Sequence, residues 1–295
     1  MIQFTNVNKS YDTKLVLENI CFNLEPGSIV GLVGRNGAGK STLLQLLSGI
    51  LEPSAGVVSI DNQPIYDNPE TKKEIFFVGD DVFYFNKATI KDMRQFYQVI
   101  FKNFSIERYN DLLSSFNFKE DQLISSFSKG MKRQVALIFG LSARTKVLLL
   151  DEAFDGLDPV MRFKVRQLIS DDVSERDTII LISSHNLDEL NDICDSILTI
   201  DGSHLHSHYQ NNQYSELFHK FRIAFKDDTD VSLFDSLKPL HVDGSKKIFT
   251  VVFKGELEPI EGFLKDLNPL LLERDTLSLN EIFMYEMEST NENTI

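Results

Sequence analysis

Residues 34–42, which read GRNGAGKST and follow an apolar run, hold the side chains best suited to bind a phosphate. Gly34, Gly37 and Gly39 allow backbone conformations that a side chain would block, so amide N–H groups can converge on an anion. Lys40 adds a positive charge, and the Ser41 hydroxyl can bind Mg²⁺. This spacing after a strand predicts a nucleoside triphosphate site. Its predicted members are Gly34, Asn36, Gly37, Ala38, Gly39, Lys40, Ser41 and Thr42.

Two carboxylates end the run 146–152, KVLLLDE. In phosphoryl transfer such a pair divides two tasks. Asp151 is predicted to help hold Mg²⁺, and Glu152 to orient or deprotonate the attacking water. A base in that place accelerates the reaction by ~10²–10⁴-fold. Alone, the pair is equally typical of solvated surface carboxylates, but its place more than a hundred residues after the phosphate loop favours the catalytic role.

The elements that position these groups follow from hydrophobic patterning. Short continuous apolar runs predict parallel strands covered on both faces, at 29–33, 75–78, 147–150 and 178–183. Alternating residues predict half-buried antiparallel strands at 2–7, 16–24 and 57–61. Apolar residues at helical spacing predict an inserted helical subdomain over about 82–146, namely Ile90, Met93, Tyr97, Ile100 and Phe101. We expect an α/β fold with a mainly parallel core sheet, an antiparallel β subdomain and this helical insert.

The C-terminal third predicts a separate small domain. Asp201 and Gly202 form a hairpin turn signal that closes the nucleotide-binding part. The predicted divisions are a domain over 1–203, a polar linker over 204–213 and an α/β accessory domain over 214–295. Within the last, strand patterns occur at 221–225 and 248–253, and Leu257, Ile260, Phe263, Leu264 and Leu267 share a helix face. A final helix is predicted to begin with a capping box from Ser278 to Glu281 and to present Leu279, Ile282 and Phe283 on one side.

Composition narrows the class of protein. The 295 residues, 42% hydrophobic and 25% charged, are typical of a soluble chain of about two domains, without the ~20 apolar residues of a membrane span. Residues 1–8 lack the features of a secretory signal, so a cytosolic location is expected. Cys21 and Cys194 are expected to be reduced and buried. A net charge of −14 disfavours nonspecific nucleic-acid binding.

A second motif indicates the family. Residues 126–133, SFSKGMKR, resemble the signature segment of ABC ATPases and lie about where that family has it, before KVLLLDE. Tyr11, the run 156–158 (GLD) and His185 also follow the family order. The resemblance covers residues 1 to about 203 and implies the nucleotide-binding domain of that family. The C-terminal region resembles more loosely the extensions of ATPases in ABC-2 type exporters, including Gram-positive peptide exporters.

The resemblance implies a role for each matching position. Tyr11 is expected to stack on adenine, and His185 to contact the γ-phosphate and sense its loss. The expected catalytic residues are Glu152, His185 and Lys40. Asp158 is expected at a dimer interface. Ser128 can N-cap the following helix and direct free N–H groups at an anion. In the family that anion is the partner subunit's ATP, so Ser128 and Gly130 are expected to act on it.

The chain also departs from the family pattern. Lys129 stands where glycine is usual and Met131 where glutamine is usual, so the capping box on Ser128 lacks its reciprocal half and a weaker helix start is expected. Asp80 stands where a glutamine usually contacts Mg²⁺ and water. It is a candidate metal ligand, or sensing passes to Asp81. Phe154 and Asp155 depart from the commonest residues too.

The resemblance implies an ATP-hydrolysing motor subunit of a membrane exporter, with ATP and Mg²⁺ as cofactors. The expected partners are an integral membrane permease and a second ATPase subunit, with a homodimer favoured over a heterodimer, at the inner face of the cell membrane. The cargo is expected to be a peptide, lipid or antibiotic. Residues 82–85, VFYF, are either core or a groove for the permease, and the family favours the groove.

Two other functions are compatible with the sequence. One is a soluble mechanochemical ATPase that acts on nucleic acid or ribosomes. The single nucleotide domain, the absence of a long coiled coil from the helical insert and the acidic charge oppose it, and no nucleic-acid partner is expected. The other is a regulatory subunit that binds ATP without turnover, which the presence of both Glu152 and His185 opposes.

Overall fold

A computed structural model describes residues 1–191, 193–208, 217–278, 281, 282, 284 and 285. The chain divides into two compact units, residues 1–208 and 209–295. Among the described residues the strands are β1 (Ile2–Tyr11), β2 (Lys14–Leu24), β3 (Ile29–Gly34), β4 (Ala55–Ile60), β5 (Gln63–Pro64), β6 (Ile75–Val78), β7 (Val147–Leu150), β8 (Ile179–Ser184), β9 (Ser196–Asp201), β10 (His204–His208), β11 (Phe218–Ala224), β12 (His241–Ser245), β13 (Ile248–Lys254) and β14 (Leu271–Asp275). The helices are α1 (Lys40–Leu47), α2 (Pro69–Lys72), α3 (Ile90–Ile100), α4 (Ile106–Ser115), α5 (Lys129–Ala143), α6 (Pro159–Arg176), α7 (Asp188–Asn191) and α8 (Leu257–Asp266), with 3₁₀ helices at Ile124–Ser126 and Val231–Leu237.

The first unit is organised around a six-stranded sheet in the order β10-β9-β3-β8-β7-β6. Neighbouring strands from β9 to β6 pair in parallel, whereas β10 is antiparallel to β9. Every residue of β3, β7 and β8 is buried, as expected for parallel strands covered on both faces. The four predicted parallel strands are therefore confirmed.

A separate antiparallel sheet has the order β2-β1-β4-β5, which confirms the predicted antiparallel strands. Phe4 and Phe22 are register partners on β1 and β2, and their rings stack with centroids 4.3 Å apart. The buried residues of this sheet share one hydrophobic core with α1 and with the six-stranded sheet. That core anchors α1, whose first residue is Lys40, beneath the phosphate loop.

Three helices, α3 to α5, form the insert between β6 and β7. Thr89 and Asp92 form a capping box at the start of α3, whose predicted apolar positions Ile90 and Met93 are buried. Tyr97 packs against Phe139 of α5, with ring centroids 5.0 Å apart. The insert thus holds α5, which begins directly after Ser128, against the core sheet.

The structure corrects the predicted linker at its start. Residues 204–208 form β10, which pairs with β9 across the turn at Gly202 and Ser203. Their polar side chains suggested a linker, but β10 is an edge strand, and one face of such a strand can be polar. Residues 209–213 lie outside the described part of the chain.

The second unit has the element order β11, 3₁₀ helix, β12, β13, α8, β14 and an antiparallel sheet ordered β12-β13-β11-β14. This is the order of a split β-α-β fold. Phe221, Ile223, Phe249 and Val251 lie in its core with α8, where Ile260 and Leu264 are buried. The Ser278–Glu281 capping box is present, whereas Leu279 and Phe283 lie outside the described residues.

His219 makes the stability of the second unit depend on pH. The nearly inaccessible ring donates from Nε2 to the Gly255 carbonyl at 3.0 Å and accepts at Nδ1 from Arg274 at 3.1 Å, which requires the neutral form. Burial, and secondarily the Arg274 charge, lowers the pKa of His219 below 6.5. As the pH falls through 6.5, the unfolded chain therefore binds more protons at His219 than the folded chain does. We expect the free energy of unfolding to fall by ~1.4 kcal/mol for each unit by which the two pKa values of His219 differ.

Hydrogen-exchange protection of β11 and β13 amides in the full chain, corrected for intrinsic rates and compared above and below pH 6.5, measures this loss. His219→Gln keeps a donor for the Gly255 carbonyl but does not titrate, so protection in this variant should change less with pH. Equal pH dependence in the variant and the parent would contradict the assignment.

Two expectations drawn from composition concern membrane-spanning helices and the cysteines. No helix of the described residues is both long and apolar enough to cross a bilayer. Cys194 is buried, and burial raises the pKa of its thiol, as expected for an unreactive core cysteine. Cys21 is exposed, so the prediction that both cysteines are buried is wrong for it. Its sulfur accepts a hydrogen bond from the backbone N–H of Asn6 at the surface of the antiparallel sheet.

Candidate nucleotide-binding site

The carboxyl ends of four parallel strands lie at one edge of the six-stranded sheet. Leu150 of β7 is in register with Val78 of β6 and Ile182 of β8, and Val33 of β3 with Ser184 of β8. Ligands bind at this edge in open α/β sheets, because the loops there converge. The predicted site residues follow these strand ends: the phosphate loop after β3, Asp80 after β6, Asp151 and Glu152 after β7, and His185 after β8.

The phosphate loop needs its glycines where the chain turns into α1. Gly37 and Gly39 have positive φ of 82° and 113°, and a Cβ at Gly39 would lie 3.2 Å from side chains of β2. Lys40 is only 6% exposed, and its Nζ donates to the Gly34 carbonyl at 2.8 Å. The ammonium group is thus held under the loop, at the amino end of α1, where an anion is favoured.

A cleft of about 540 Å³ lies over this loop. It contains most of the predicted nucleotide and catalytic residues together with Val16 and Asp155, which were not predicted. Its lining residues are Val16, Asn36, Gly37, Gly39, Lys40, Ser41, Thr42, Asp80, Glu152, Asp155 and His185. Gly34 and Ala38, the other two members of the predicted loop, shape the turn beneath it.

Glu152 is the central side chain of the cleft. Its Oε2 lies 2.9 Å from His185 Nδ1, and its Oε1 lies 3.5 Å from Lys40 Nζ. The backbone of Glu152 has a left-handed φ of 49°, which is uncommon outside glycine, and its N–H donates to Ser183 Oγ at 2.9 Å. A carboxylate held in this way can accept a proton from a water molecule in the cleft.

Ser183, a buried residue of β8, was missed by the sequence analysis. Its hydroxyl donates to Asp151 Oδ1 at 2.5 Å and accepts from the Glu152 backbone N–H, so it orients the Asp151 carboxylate and holds the backbone of Glu152. No local signal identifies it, because a serine in an apolar run is also typical of a buried strand with a satisfied hydroxyl. Only the pairing of β7 with β8 brings it to the site.

The site also suits Mg²⁺ by the chemistry of its donors. Ser41 lines the cleft, and Asp151, 4% exposed, precedes Glu152. Hydroxyl and carboxylate oxygens are the ligands Mg²⁺ prefers, with phosphate and water oxygens as the rest. Among the described residues no group of three or more His, Cys, Asp or Glu side chains could hold a metal.

Asp80 is engaged by two cations. Its Oδ1 lies 2.8 Å from Lys129 Nζ and 2.6 Å from Arg133 Nη2. The Lys129 hydrogen bond, with Arg133 beside it, lowers the pKa of the Asp80 carboxyl. Lys129 also lies 3.1 Å from Asp155 and lowers the pKa of that carboxyl. Positions 80, 129 and 155 each depart from the family pattern, and only the structure shows that the three side chains meet.

The predicted signature residues lie at the start of α5. Ser128 N-caps this helix, and its Oγ accepts from the Met131 N–H at 3.3 Å. A Cβ at Gly130 would lie 2.5 Å from the Gly156 carbonyl oxygen, so glycine is needed for the close approach of the two segments. Asp158 is exposed and caps α6 by accepting from Met161 N–H at 2.9 Å. None of these three residues lines the cleft of the same chain.

Tyr11 ends β1 with 43% of its surface exposed, and it does not line the cleft either. The ammonium of Lys9 lies 5.2 Å from the centroid of its ring. Val16, on the neighbouring strand β2, supplies an apolar wall of the cleft. Its aliphatic side chain offers a surface against which a planar base can pack.

Residues 17–155 match the family described as ABC transporter. The ABC transporter ATP-binding protein YtrB of Bacillus subtilis (strain 168) is 30% identical over 284 residues, 96% of this chain and 97% of YtrB. The lipopolysaccharide export system ATP-binding protein LptB of Escherichia coli (strain K12) is 28% identical over 232 residues, 76% of this chain and 96% of LptB. A solved structure, the dimeric post-hydrolysis state of the ATP-binding cassette MJ0796 bound to ADP and Pi, matches with a TM-score of 0.63 at 20% identity. The match covers 72% of this chain and 99% of the MJ0796 chain, and it supports the fold alone.

These similarities agree with the arrangement of the cleft, where a phosphate loop faces a carboxylate held by a lysine and a histidine. The similarity to YtrB extends through nearly the whole length of both chains. The chain therefore belongs to the ATP-binding proteins of ABC transporters, a family of ATPases.

Proposed function

We propose that this subunit is the motor of an exporter, which binds two ATP molecules between two copies of the chain and drives a separate integral permease. The observation that carries the proposal is the contact of Glu152 with both Lys40 and His185 inside one cleft. A subunit that only bound ATP would not need this proton acceptor. The similarity to LptB, a protein of a lipopolysaccharide export system, supports export, and the proposed cargo is a peptide, lipid or antibiotic.

Each side chain then has a task. Lys40 and the loop amides bind the phosphates, and Glu152 accepts the proton of the attacking water. His185, hydrogen-bonded to Glu152, contacts the γ-phosphate and fixes the orientation of the carboxylate. Ser41 and Asp151 would hold Mg²⁺, which would supply charge neutralisation of the phosphates. Tyr11, which does not line the cleft, is proposed to stack on the base.

The second half of each site comes from the partner. Ser128 and Gly130 lie at the free amino end of α5, outside the cleft of their own chain, and such a helix end attracts an anion. Head-to-tail pairing would direct it at the partner's triphosphate, with exposed Asp158 at the interface. A homodimer is proposed because one chain carries every motif.

An aromatic patch made of Phe83, Phe85 and Phe96 is proposed as the permease contact. Phe83 and Phe85 are 60% and 45% exposed, and the ring centroids of Phe85 and Phe96 lie 4.9 Å apart. Phe83 and Phe85 follow Asp80, which lines the nucleotide cleft, by three and five residues. Movement of the helical insert during the ATP cycle would then move the permease at the inner face of the membrane.

Isolation from membranes in mild detergent tests this function. The wild-type chain should co-purify with a polytopic membrane protein, whereas sedimentation with ribosomes or DNA would favour the soluble mechanochemical alternative. In the double variant Phe83→Ser/Phe85→Ser we expect at least about 10-fold weaker capture, because each buried phenylalanine contributes ~1.5–3 kcal/mol. ATP binding by the isolated variant should stay near the wild-type value.

Phe163→Ser is the matched control, because Phe163 is 62% exposed on α6 and lies outside the aromatic patch. This variant should be captured as well as the wild type. Equal capture of the Phe83→Ser/Phe85→Ser chain would exclude the patch as the contact.

A further inference from the structure

Four charged side chains join three segments that surround the nucleotide cleft. Asp80 follows β6, Lys129 and Arg133 begin α5, and Asp155 follows β7. Lys129 bridges both carboxylates, at 2.8 Å from Asp80 and 3.1 Å from Asp155. Arg133 contacts the same two residues, donating to the Asp80 carboxylate at 2.6 Å and to the Asp155 carbonyl at 2.6 Å. We call these residues the charge cluster; its two cations balance its two anions.

Arg133 makes the cluster a fixed structure. Its side chain is fully buried, and its Nε has no hydrogen-bond partner among the described residues. A buried guanidinium is costly unless its charge is neutralised, so the partners that it does have cannot be lost cheaply. Asp80 supplies the shortest carboxylate contact to it, whereas Asp155 Oδ2 lies 3.6 Å away. The orientation of Asp80 is therefore tied to α5.

Lys129 extends this link to the helix start. It follows the N-cap Ser128 directly, and it is 55% exposed, so its ammonium is held by the ion pairs and not by burial. Asp80 and Asp155 both line the cleft. A change in charge inside the cleft thus acts on two carboxylates that hold the first turn of α5, the part of the chain proposed to bind the partner's triphosphate.

We propose that Asp80 is a positioning residue that acts through Lys129 and Arg133, and that it links the occupancy of its own cleft to the helix start that binds the partner's ATP. The inference rests on the proposed function. It replaces the expectation that Asp80 is a metal ligand: the Oδ1 atom already accepts two charged hydrogen bonds. Ser41 and Asp151 are sufficient as protein ligands, since Mg²⁺ retains several water and phosphate ligands.

The two roles of Asp80 predict different results for Asp80→Asn. If Asp80 is a positioning residue, Asp80→Asn should keep the ATP affinity of the monomer within about 3-fold of the parent value. The Mg²⁺ concentration for half-maximal ATP binding should also stay within about 3-fold, because Asp80 then contacts neither ATP nor Mg²⁺. In a Glu152→Gln background, ATP-driven dimerisation should weaken by about 10-fold, since the variant loses a charged contact at the helix start. Titration calorimetry measures the first two quantities, and light scattering at varied chain concentration measures the third.

A second variant guards against loss of folding. Lys129→Met leaves buried Arg133 paired with Asp80, so it perturbs the cluster with less risk to the core. If Asp80 acts through Lys129, the loss of dimerisation in the double variant Asp80→Asn/Lys129→Met should be smaller than the sum of the two single losses, because the Asp80–Lys129 contact can be broken only once. Asp61→Asn is the matched control: the Asp61–Lys146 pair has side-chain exposures of 52% and 58%, close to those of Asp80 and Lys129, and lies outside the cleft.

Three outcomes would overturn the inference. A rise of about 10-fold or more in the Mg²⁺ requirement of Asp80→Asn would make Asp80 a metal ligand. Fully additive losses in the double variant would show that Asp80 and Lys129 act separately. Unchanged dimerisation of Asp80→Asn would remove the link altogether. Failure of the Glu152→Gln parent itself to dimerise with ATP would instead overturn the proposed function, and with it the dimer link.

Discussion

Glu152→Gln is expected to lower ATP turnover of the assembled complex by about 10²-fold or more, because the variant loses the proton acceptor and keeps the groups that bind ATP. Glutamine can still hydrogen-bond with His185, so the geometry of the cleft is preserved. The variant also removes the negative charge 3.5 Å from Lys40 Nζ, which frees that ammonium for the phosphates. ATP should therefore stay bound, and the chain should accumulate as an ATP-bound dimer.

Phosphate release from the detergent-purified complex measures the turnover, and light scattering of the isolated chain with saturating ATP measures the dimer. Glu175→Gln, which changes an exposed carboxylate on α6, is a suitable control and should leave both quantities unchanged. Wild-type turnover in the Glu152→Gln complex would assign the proton acceptor to another residue.

Lys40→Ala is expected to act on binding. The Lys40 ammonium is buried beneath the loop and bound to the Gly34 carbonyl, so its position is fixed before the triphosphate binds. A hydrogen bond to a charged group contributes ~1.5–3 kcal/mol, which corresponds to ~10–100-fold in the dissociation constant. The variant should lose ATP affinity by that factor, and ATP-driven dimerisation should fall with it.

Titration calorimetry with Mg²⁺-ATP measures the affinity. Lys146→Ala removes an exposed lysine that lies outside the cleft and should bind ATP normally. An unchanged affinity of Lys40→Ala would mean that the triphosphate does not bind over this loop. Together the two variants separate binding from chemistry, since Lys40→Ala should prevent the dimer that Glu152→Gln stabilises.

The nucleotide loop and the strands beneath it could be predicted from the sequence because their signals are local. Gly37 and Gly39 take the positive φ that only glycine adopts readily, and consecutive loop residues cannot separate in space. The apolar runs of β3, β7 and β8 require burial on both faces, which indicated a parallel sheet before any contact was known. Asp151 and Glu152 were found because they directly follow such a strand.

Tertiary structure decided the contacts between distant segments. Ser183 lies 32 residues from Asp151, and Arg133 lies 53 residues from Asp80, so neither pair leaves a local pattern in the chain. The strand order places β7 between β6 and β8, which is set by packing of the core and not by neighbouring residues. The same packing directs Asp80, which was expected as a metal ligand, toward Lys129 and Arg133. The buried Arg133 guanidinium requires a carboxylate within hydrogen-bonding distance, and Asp80 supplies it.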